Sequence, residues 1–189
     1  VGIPTGVTNV EARAVYDAAR AAGASQAYLI EEPVAGALGV RLPIKDAIGT
    51  VVVDIGGGTT DIAVIASGGV VRSKNLRIAG DKLNTDVLQF IRDEFKLIVG
   101  EKTAEAVKIA VGSAVPGNYM ETVVRGRDIL TGLPREIIVT DADIREAMAN
   151  SISKIIDAVA EVLETTPPEI LADVLEQGVV LVGGGALIE

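Results

Sequence analysis

The sequence predicts an α/β fold in which a mixed sheet is flanked by helices, and three observations support this prediction. Two runs of β-branched residues enclose a glycine-rich turn in Val51–Ile65, a pattern typical of a β-hairpin. A second apolar run, Val179–Val182, is expected to form a buried strand that leads into another glycine triple and then a helix. An apolar stripe at helical spacing indicates one long helix, and its members are Ile152, Ile155, Ile156, Val159, Val162 and Leu163.

Composition and charge exclude several functional classes. The chain has 189 residues and a net charge of −9, which argues against a nucleic-acid partner because such a partner requires a basic face. It has no cysteine and no histidine, so disulfides, zinc sites and histidine acid–base chemistry are excluded and any general base must be a carboxylate. No apolar run is long enough to cross a membrane and no signal peptide is visible, which predicts a cytoplasmic protein.

The elements of the first half follow from capping signals, breakers and apolar runs. Thr8 and Glu11 form a capping box that begins a helix, and Gly23 ends this helix after about Ala22. The other elements expected in this half are strands at Val1–Ile3, Ala27–Ile30 and Val70–Ile78, with the second of these buried, a helix at Val34–Val40 and a linker at Pro43–Asp46.

The second half is predicted to be mostly helical. A helix from Gly80 is expected to place Leu88, Ile91, Phe95 and Ile98 on one face. The remaining predicted elements are a helix at Ala104–Ala110, a hairpin with strands Met120–Arg125 and Ile137–Thr140, a helix beginning at Thr140–Asp143 and a short helix between Pro167–Pro168 and Gln177.

The glycine-rich turn of the first hairpin has the character of a phosphate site. Three successive glycines, Gly56–Gly58, can adopt positive φ and carry no Cβ atoms that would obstruct a ligand, and successive N–H groups can converge on a phosphate. Asp54 places a carboxylate at the same end of the strand, where a hydrated Mg²⁺ ion could be held. No Gly-Lys-Ser/Thr sequence follows and no helix comes next, which excludes a P-loop and a dinucleotide-binding loop. The alternative is a tight hairpin whose glycines serve only geometry.

The second glycine triple, Gly183–Gly185, is a weaker signal by itself. It could place a helix N-terminus and bare backbone against a nucleotide, or it could be a tight strand–helix turn. The two glycine triples together favour a nucleotide site.

Three segments resemble motifs of the actin-like ATPase superfamily, which includes actin, heat-shock chaperone ATPases and sugar kinases. Ile30–Gly39 is similar to the helix that connects the two lobes, Asp54–Asp61 to the second phosphate loop, and Val180–Leu187 to the adenosine motif. A closer resemblance, over essentially the whole chain, is to the MreB family of bacterial cytoskeletal proteins. It is carried by the stretches LIEEPVAGALG, IAGDKLNTDVLQFIRDEF, VRGRDILTGLP and TPPEILADVLEQGVVLVGGGAL.

The resemblance implies a function and a set of site residues. Proteins of this family bind and hydrolyse ATP with Mg²⁺ and polymerise into membrane-associated filaments that guide cell-wall synthesis in rod-shaped bacteria. The implied roles are activation of the attacking water by Glu32, a water-mediated Mg²⁺ contact by Asp54, phosphate binding by Gly56, Gly57, Gly58 and Thr59, ribose and adenine contacts by Glu105 and Lys108, and an adenosine loop at Gly183, Gly184 and Gly185.

Other interpretations of these residues and of the chain stay open. Glu32 could serve only as a favourable acid at a helix N-terminus, and Glu105 and Lys108 could be a solvated surface pair. At the level of function, the alternatives are a chaperone-type or sugar-kinase-type ATPase of the same superfamily, and a pure scaffold with an inactive nucleotide site.

The resemblance also implies an organisation into parts of two lobes. Residues 1–41 would be the end of the first lobe, residues 42–78 and 152–189 the core of the second, ribonuclease H-like lobe, and residues 79–151 a small α+β outer subdomain. The family's first phosphate loop and its membrane-anchoring segments have no counterpart here, so we expect an internal piece of a longer ATPase. This piece by itself is expected to be inactive.

Overall fold

The computed structural model describes residues 1–117 and 119–188. The strands are β1 (Gly2–Ile3), β2 (Ile30–Glu31), β3 (Thr50–Ile55), β4 (Thr60–Ala66), β5 (Gly69–Leu76), β6 (Leu97–Ile98), β7 (Glu121–Asp128), β8 (Pro134–Thr140) and β9 (Val179–Val182). The α-helices are α1 (Asn9–Ala21), α2 (Glu32–Gly39), α3 (Gly80–Phe95), α4 (Glu101–Val111), α5 (Asp141–Glu164) and α6 (Pro168–Gln177), and a 3₁₀ helix spans Gly184–Leu187.

The central sheet is mixed and brings the two glycine triples to one edge. Its strand order is β5-β4-β3-β9, with β3 antiparallel to β4 and parallel to β9. In this register Asp54 lies opposite Asp61 on one side and opposite Val182 on the other. The first glycine turn and the residues that follow β9 therefore lie side by side.

The two inner strands of this sheet are covered by helices on both faces. Successive side chains of a strand point to opposite faces, so alternate residues of β3 and β4 enter different cores. One core joins the sheet to α5 and α6, and its buried members are Val51, Val53, Ile62, Val64, Ala158, Val162 and Val174. The other joins it to α2 and the loop after it, through Val52, Ala63, Ile65, Ala37 and Ile44.

A second centre of packing lies outside the central sheet. The three strands β6, β7 and β8 form their own antiparallel sheet, which packs with α3, α4 and the first half of α5. Leu83, Ile91, Val107, Val139 and Met148 are among its buried residues. The division into residues 1–41, 42–78 with 152–189, and 79–151 stays a proposal.

The N-terminal segment is tied to the central sheet by one buried carboxylate. Asp61 is 1% exposed and accepts hydrogen bonds from the backbone N–H of Thr5 at 2.9 Å, from the Thr5 hydroxyl at 2.9 Å and from the Asn75 amide at 2.9 Å. Its role in the structure is therefore to connect β4 with β5 and with the loop after β1.

Local signals located most element ends to within one or two residues, but α4 begins three residues before its predicted start, and β7 and β8 each extend three residues further into the hairpin loop than predicted. The predicted hairpin of Val51–Ile65 is confirmed. Both capping boxes are present: Thr8 and Glu11 begin α1, and Thr140 and Asp143 begin α5.

Three predictions in the first half of the chain are wrong. The strand expected at Ala27–Ile30 is instead β2, and it is half-buried, while Tyr28 is 75% exposed. The helix predicted at Val34–Val40 is α2, which begins two residues before the predicted start, at Glu32. Pro33 is compatible with this because proline fits the first turn of a helix. Pro43–Asp46 is not a linker: Ile44 is buried, and its carbonyl and that of Asp46 accept hydrogen bonds from the turn between β4 and β5.

Three predictions in the second half also need correction. Ile98 is not on the face of α3, since the helix ends at Phe95 and Lys96 takes a left-handed conformation. Ile156 belongs to the predicted stripe of α5 but is 61% exposed. The strand β9 is only partly buried, with Leu181 53% exposed, and the helix after it is 3₁₀. Among the residues that the structure describes, no helix has the length and apolar character needed to cross a membrane.

Candidate functional site

A cleft of about 400 Å³ opens at the edge of the central sheet where the two glycine triples meet. Its walls come from the β3–β4 turn, the first turns of α3, the helix α4 and the 3₁₀ helix. The residues predicted from sequence that line it are Gly56, Gly57, Glu105, Lys108, Gly184 and Gly185. The other five predicted residues do not line it, and they are Glu32, Asp54, Gly58, Thr59 and Gly183.

The β3–β4 turn is closed by its own backbone. The N–H of Gly56 donates to the carbonyl of Thr59 at 3.0 Å, and Gly57 and Gly58 are exposed at the tip. None of these three glycines has a positive φ, contrary to the sequence-based expectation. What they contribute is the absence of Cβ atoms, which leaves the tip of the turn open to a ligand.

The helix α3 is anchored directly to this turn. The N–H of Gly80 donates to the carbonyl of Gly56 at 3.0 Å, and the N–H of Asp81 donates to the carbonyl of Gly57 at 2.8 Å. The ammonium of Lys108 on α4 donates to the carbonyl of Gly80 at 3.2 Å. The turn, α3 and α4 thus form one bonded unit around the cleft.

Lys108 and Glu105 do not form a simple surface pair. Lys108 is half-buried, and its pKa is lowered by burial, an effect opposed by the carboxylates of Glu105 and Asp81. Glu105 is exposed on the preceding turn of α4. A half-buried cation between two carboxylates can donate to an oxygen of a bound ligand while it holds α3 in place.

The second glycine triple packs closely against the end of β3. Gly183 has a φ of 82°, and a Cβ atom on it would lie 2.5 Å from the Oδ1 of Asp54 and 2.5 Å from the carbonyl oxygen of Ile55. A Cβ atom on Gly185 would collide with the side chain of Ile55. Both glycines are needed for the 3₁₀ helix to approach the strand.

Acidic side chains gather beside the turn. The pKa of the half-buried Asp54 is raised by burial and by the neighbouring Asp61 carboxylate. The pKa of Glu32, at the start of α2, is raised by burial and by the carboxylates of Asp61 and Asp54. Burial is the larger cause of both shifts, and the smaller contribution from the neighbouring carboxylates places several negative charges at this edge of the sheet.

This environment fits a hydrated magnesium ion. Carboxylate oxygens are the ligands that Mg²⁺ takes in proteins, and the ion usually keeps several of its waters. The described residues include no group of three or more acidic side chains able to hold a metal directly. Contact through water needs only the one carboxylate of Asp54, as the resemblance implies.

Sequence reasoning missed several residues that line the cleft, and three of them lie together on the first turns of α3: Gly80, Asp81 and Asn84. They belong to the stretch IAGDKLN, which the resemblance used without giving it a role. A glycine and an acid at the start of a helix that directly follows a strand were the available signal.

Two glycine loops that face one cleft, on a mixed α/β sheet flanked by helices, are the arrangement of one lobe of the actin-like ATPase fold. The sequence matches the family described as MreB/Mbl protein over residues 1–189, and the chain belongs to that family.

Relatives and solved structures agree with this assignment. The cell shape-determining protein Mbl of Bacillus subtilis is 46% identical over 98% of the chain, and MreB of Escherichia coli is 44% identical over 100%. MreB5 of Spiroplasma citri bound to AMPPNP superposes over the whole chain with a TM-score of 0.95 and 41% identity. A subunit of the MamK double helical filament superposes with a TM-score of 0.81 and 25% identity. The chain spans about half of each protein, 56%, 54%, 57% and 56% respectively.

Proposed function

We propose that the full-length protein binds and hydrolyses ATP and polymerises into actin-like filaments that control rod cell shape. The observation that carries the proposal is the meeting of both glycine triples with α3 and α4 at one cleft. A solved relative over this same region is described as bound to AMPPNP and another as bound to ADP, which supports a nucleotide as the ligand.

The nucleotide would lie with its phosphates at the first turn and its adenosine at the second. Gly56, Gly57, Gly58 and Thr59 would bind the β- and γ-phosphates through the open backbone of the turn. Glu105 and Lys108 would contact ribose and adenine from α4. The adenosine would rest on Gly183, Gly184 and Gly185, which leave bare backbone beside Ile55.

The acidic edge of the cleft would supply the ion and the base for hydrolysis. Asp54 would hold Mg²⁺ through water, and the ion would neutralise phosphate charge. Glu32 would orient and deprotonate the attacking water, since a carboxylate is the available base in a chain without histidine. Its raised pKa supports this role because a stronger base accepts a proton more readily.

The partners we propose are further copies of the same protein and the cell-wall synthesis machinery at the inner membrane. The names of the relatives support this: two are called cell shape-determining proteins, and MamK is described as a double helical filament. The filaments would be cytoplasmic and membrane-associated, with membrane contact through segments outside this chain. We propose no nucleic-acid partner.

Negative-stain electron microscopy of the full-length protein tests the proposal. We expect filaments with Mg·ATP or Mg·AMPPNP and few or none without nucleotide, together with phosphate release from ATP only. Turnover without filaments would favour a chaperone-type or sugar-kinase-type ATPase. Filaments that form equally without nucleotide, with no phosphate release, would instead favour an inactive nucleotide site.

A further inference from the structure

Asn84 is a polar residue of the cleft to which the proposed function gives no role. It is half-buried on α3 and lines the same cleft as Glu105 on α4. Its Oδ1 atom is buried and has no hydrogen-bond donor among residues 1–117 and 119–188. Because a buried acceptor without a donor destabilises the structure, a donor from a bound molecule would relieve this cost.

The position of Asn84 along the cleft is set by the anchoring of α3. The N–H groups of Gly80 and Asp81 bond to the carbonyls of Gly56 and Gly57, so the helix cannot slide relative to the turn. Asn84 lies three residues after Asp81, on the same face and about 4.5 Å further along the axis. It therefore lies one helical turn away from the point at which α3 bonds to the glycine turn.

Because the Oδ1 of Asn84 is a hydrogen-bond acceptor, only a ligand group that carries a donor hydrogen can bond to it. Phosphate oxygens of a nucleotide are acceptors, so they cannot pair with the Oδ1 of Asn84. The donors of a nucleotide are its ribose hydroxyls and the amino group of its base. In a nucleotide the ribose is bonded directly to the phosphates. If the phosphates lie at the glycine turn, the ribose is the donor-bearing group nearest to Asn84, which is one helical turn away from that turn.

We propose that Asn84 accepts a hydrogen bond from a ribose hydroxyl and thereby selects ribonucleotides over deoxyribonucleotides. This inference rests on the proposed nucleotide-binding function and adds a specificity determinant to it. Asp81, on the same face of α3, also lines the cleft and keeps this wall rich in acceptors.

Equilibrium binding to the full-length protein tests the inference by calorimetry. The probes are the Mg²⁺ complexes of ATP, 2′-deoxy-ATP, 3′-deoxy-ATP and inosine triphosphate, the last of which lacks the amino group of the base. We expect the unchanged protein to bind ATP about tenfold more tightly than one of the two deoxy analogues. In Asn84→Ala the affinity for ATP should fall to that of this analogue, whose own affinity should not change.

Further variants separate the hydrogen bond from packing. Asn84→Leu has a similar volume and no acceptor, so it should lose the discrimination as Asn84→Ala does, and it serves as the test if the alanine variant does not fold. Asn84→Asp keeps an acceptor and should keep the ratio between ATP and the analogue, even if every affinity falls. Thr85→Ala is the matched control, because its hydroxyl bonds to the Asp81 carbonyl within α3 and the residue does not line the cleft.

Three outcomes would overturn the inference. An unchanged ratio of ATP to deoxy-ATP in both Asn84→Ala and Asn84→Leu would remove Asn84 from ribose recognition while leaving the proposed function standing. Loss of discrimination against inosine triphosphate instead would assign Asn84 to the base. If the unchanged protein binds no nucleotide, the proposed function and this inference fail together.

Discussion

Gly183 lies so close to Asp54 that a Cβ atom on residue 183 would come within 2.5 Å of the carboxylate Oδ1. The two residues are neighbours because β3 and β9 run parallel, with Asp54 opposite Val182. The start of the second glycine triple is therefore shaped by the carboxylate for which we propose a role in Mg²⁺ binding. A side chain at this position would disturb both glycine loops at once.

Gly183→Ala should destabilise the protein by roughly 1–3 kcal/mol, since alanine tolerates a φ of 82° poorly and its methyl group would collide with Asp54 and Ile55. Urea unfolding followed by circular dichroism measures the change. Gly184→Ala is the matched control, because a Cβ atom there has no neighbour within 4 Å. Equal midpoints for the two variants would contradict the steric argument.

Glu32→Gln should leave Mg·ATP affinity nearly unchanged while slowing hydrolysis by about a hundredfold or more, the usual contribution of a positioned base. Phosphate release under saturating ATP is the measurement, with binding measured separately. Glu31→Gln changes the adjacent carboxylate, to which we give no catalytic role, and should hydrolyse at the original rate. Unchanged phosphate release by Glu32→Gln would remove this residue from the mechanism.

The pH dependence of hydrolysis should reveal the same carboxylate. A base must be ionised to accept a proton, so the rate should fall as pH falls through the pKa of Glu32. Because burial and the carboxylates of Asp61 and Asp54 raise that pKa, the acid limb should lie above the ordinary glutamate value of about 4.3. A bound Mg²⁺ ion opposes the shift, so the limb should move to lower pH as Mg²⁺ approaches saturation. A flat profile down to the acid limit of folding would count against this assignment.

Asp54→Asn should raise the Mg²⁺ concentration needed for half-maximal ATP binding by about tenfold or more. A neutral amide is a poorer partner than a carboxylate for a hydrated hard cation. Magnesium titration at fixed ATP measures the effect, and binding without Mg²⁺ should change far less. Asp17→Asn, on the exposed face of α1, controls for the loss of one negative charge. Coinciding titrations for Asp54→Asn and the unchanged protein would reject the role.

Asp61→Ala should destabilise the protein by about 3 kcal/mol because it leaves the N–H and hydroxyl of Thr5 and the amide of Asn75 without their acceptor. Thermal unfolding followed by circular dichroism tests this. The exposed Asp46 gives the control, and Asp46→Ala should change stability by less than about 0.5 kcal/mol. Similar melting temperatures for both variants would show that the bonds to Thr5 and Asn75 contribute little.

Elements with local determinants were predicted well from the sequence. The capping boxes at Thr8 and Thr140 need only residues three positions apart, and the structure contains both. The hairpin around Gly56–Gly58 depends on a turn between two β-branched runs, which are adjacent in sequence. These signals predict structure reliably because the groups that bond to each other are already close together in the sequence.

The parts of the cleft that depend on long-range packing were not predicted. Asp81 and Asn84 enter the cleft only because α3 bonds to a turn 24 residues earlier in the chain, through the pairs Gly80–Gly56 and Asp81–Gly57. The exposure of Leu181 likewise depends on which elements cover β9, and the apolar run by itself indicated burial. Apolar periodicity indicates which face of a segment can be buried, but it does not identify the elements that pack against that face.

The sequence by itself determined the two glycine triples, the absence of histidine and cysteine, and membership of the MreB/Mbl family. Three features depend on the tertiary structure. The helix α3 forms a wall of the cleft, Lys108 bonds to the carbonyl of Gly80, and Asp54 leaves no room for a side chain at Gly183. The physical reason is that residue type specifies which interactions a group can make, whereas strand register and helix anchoring determine which partner is within reach.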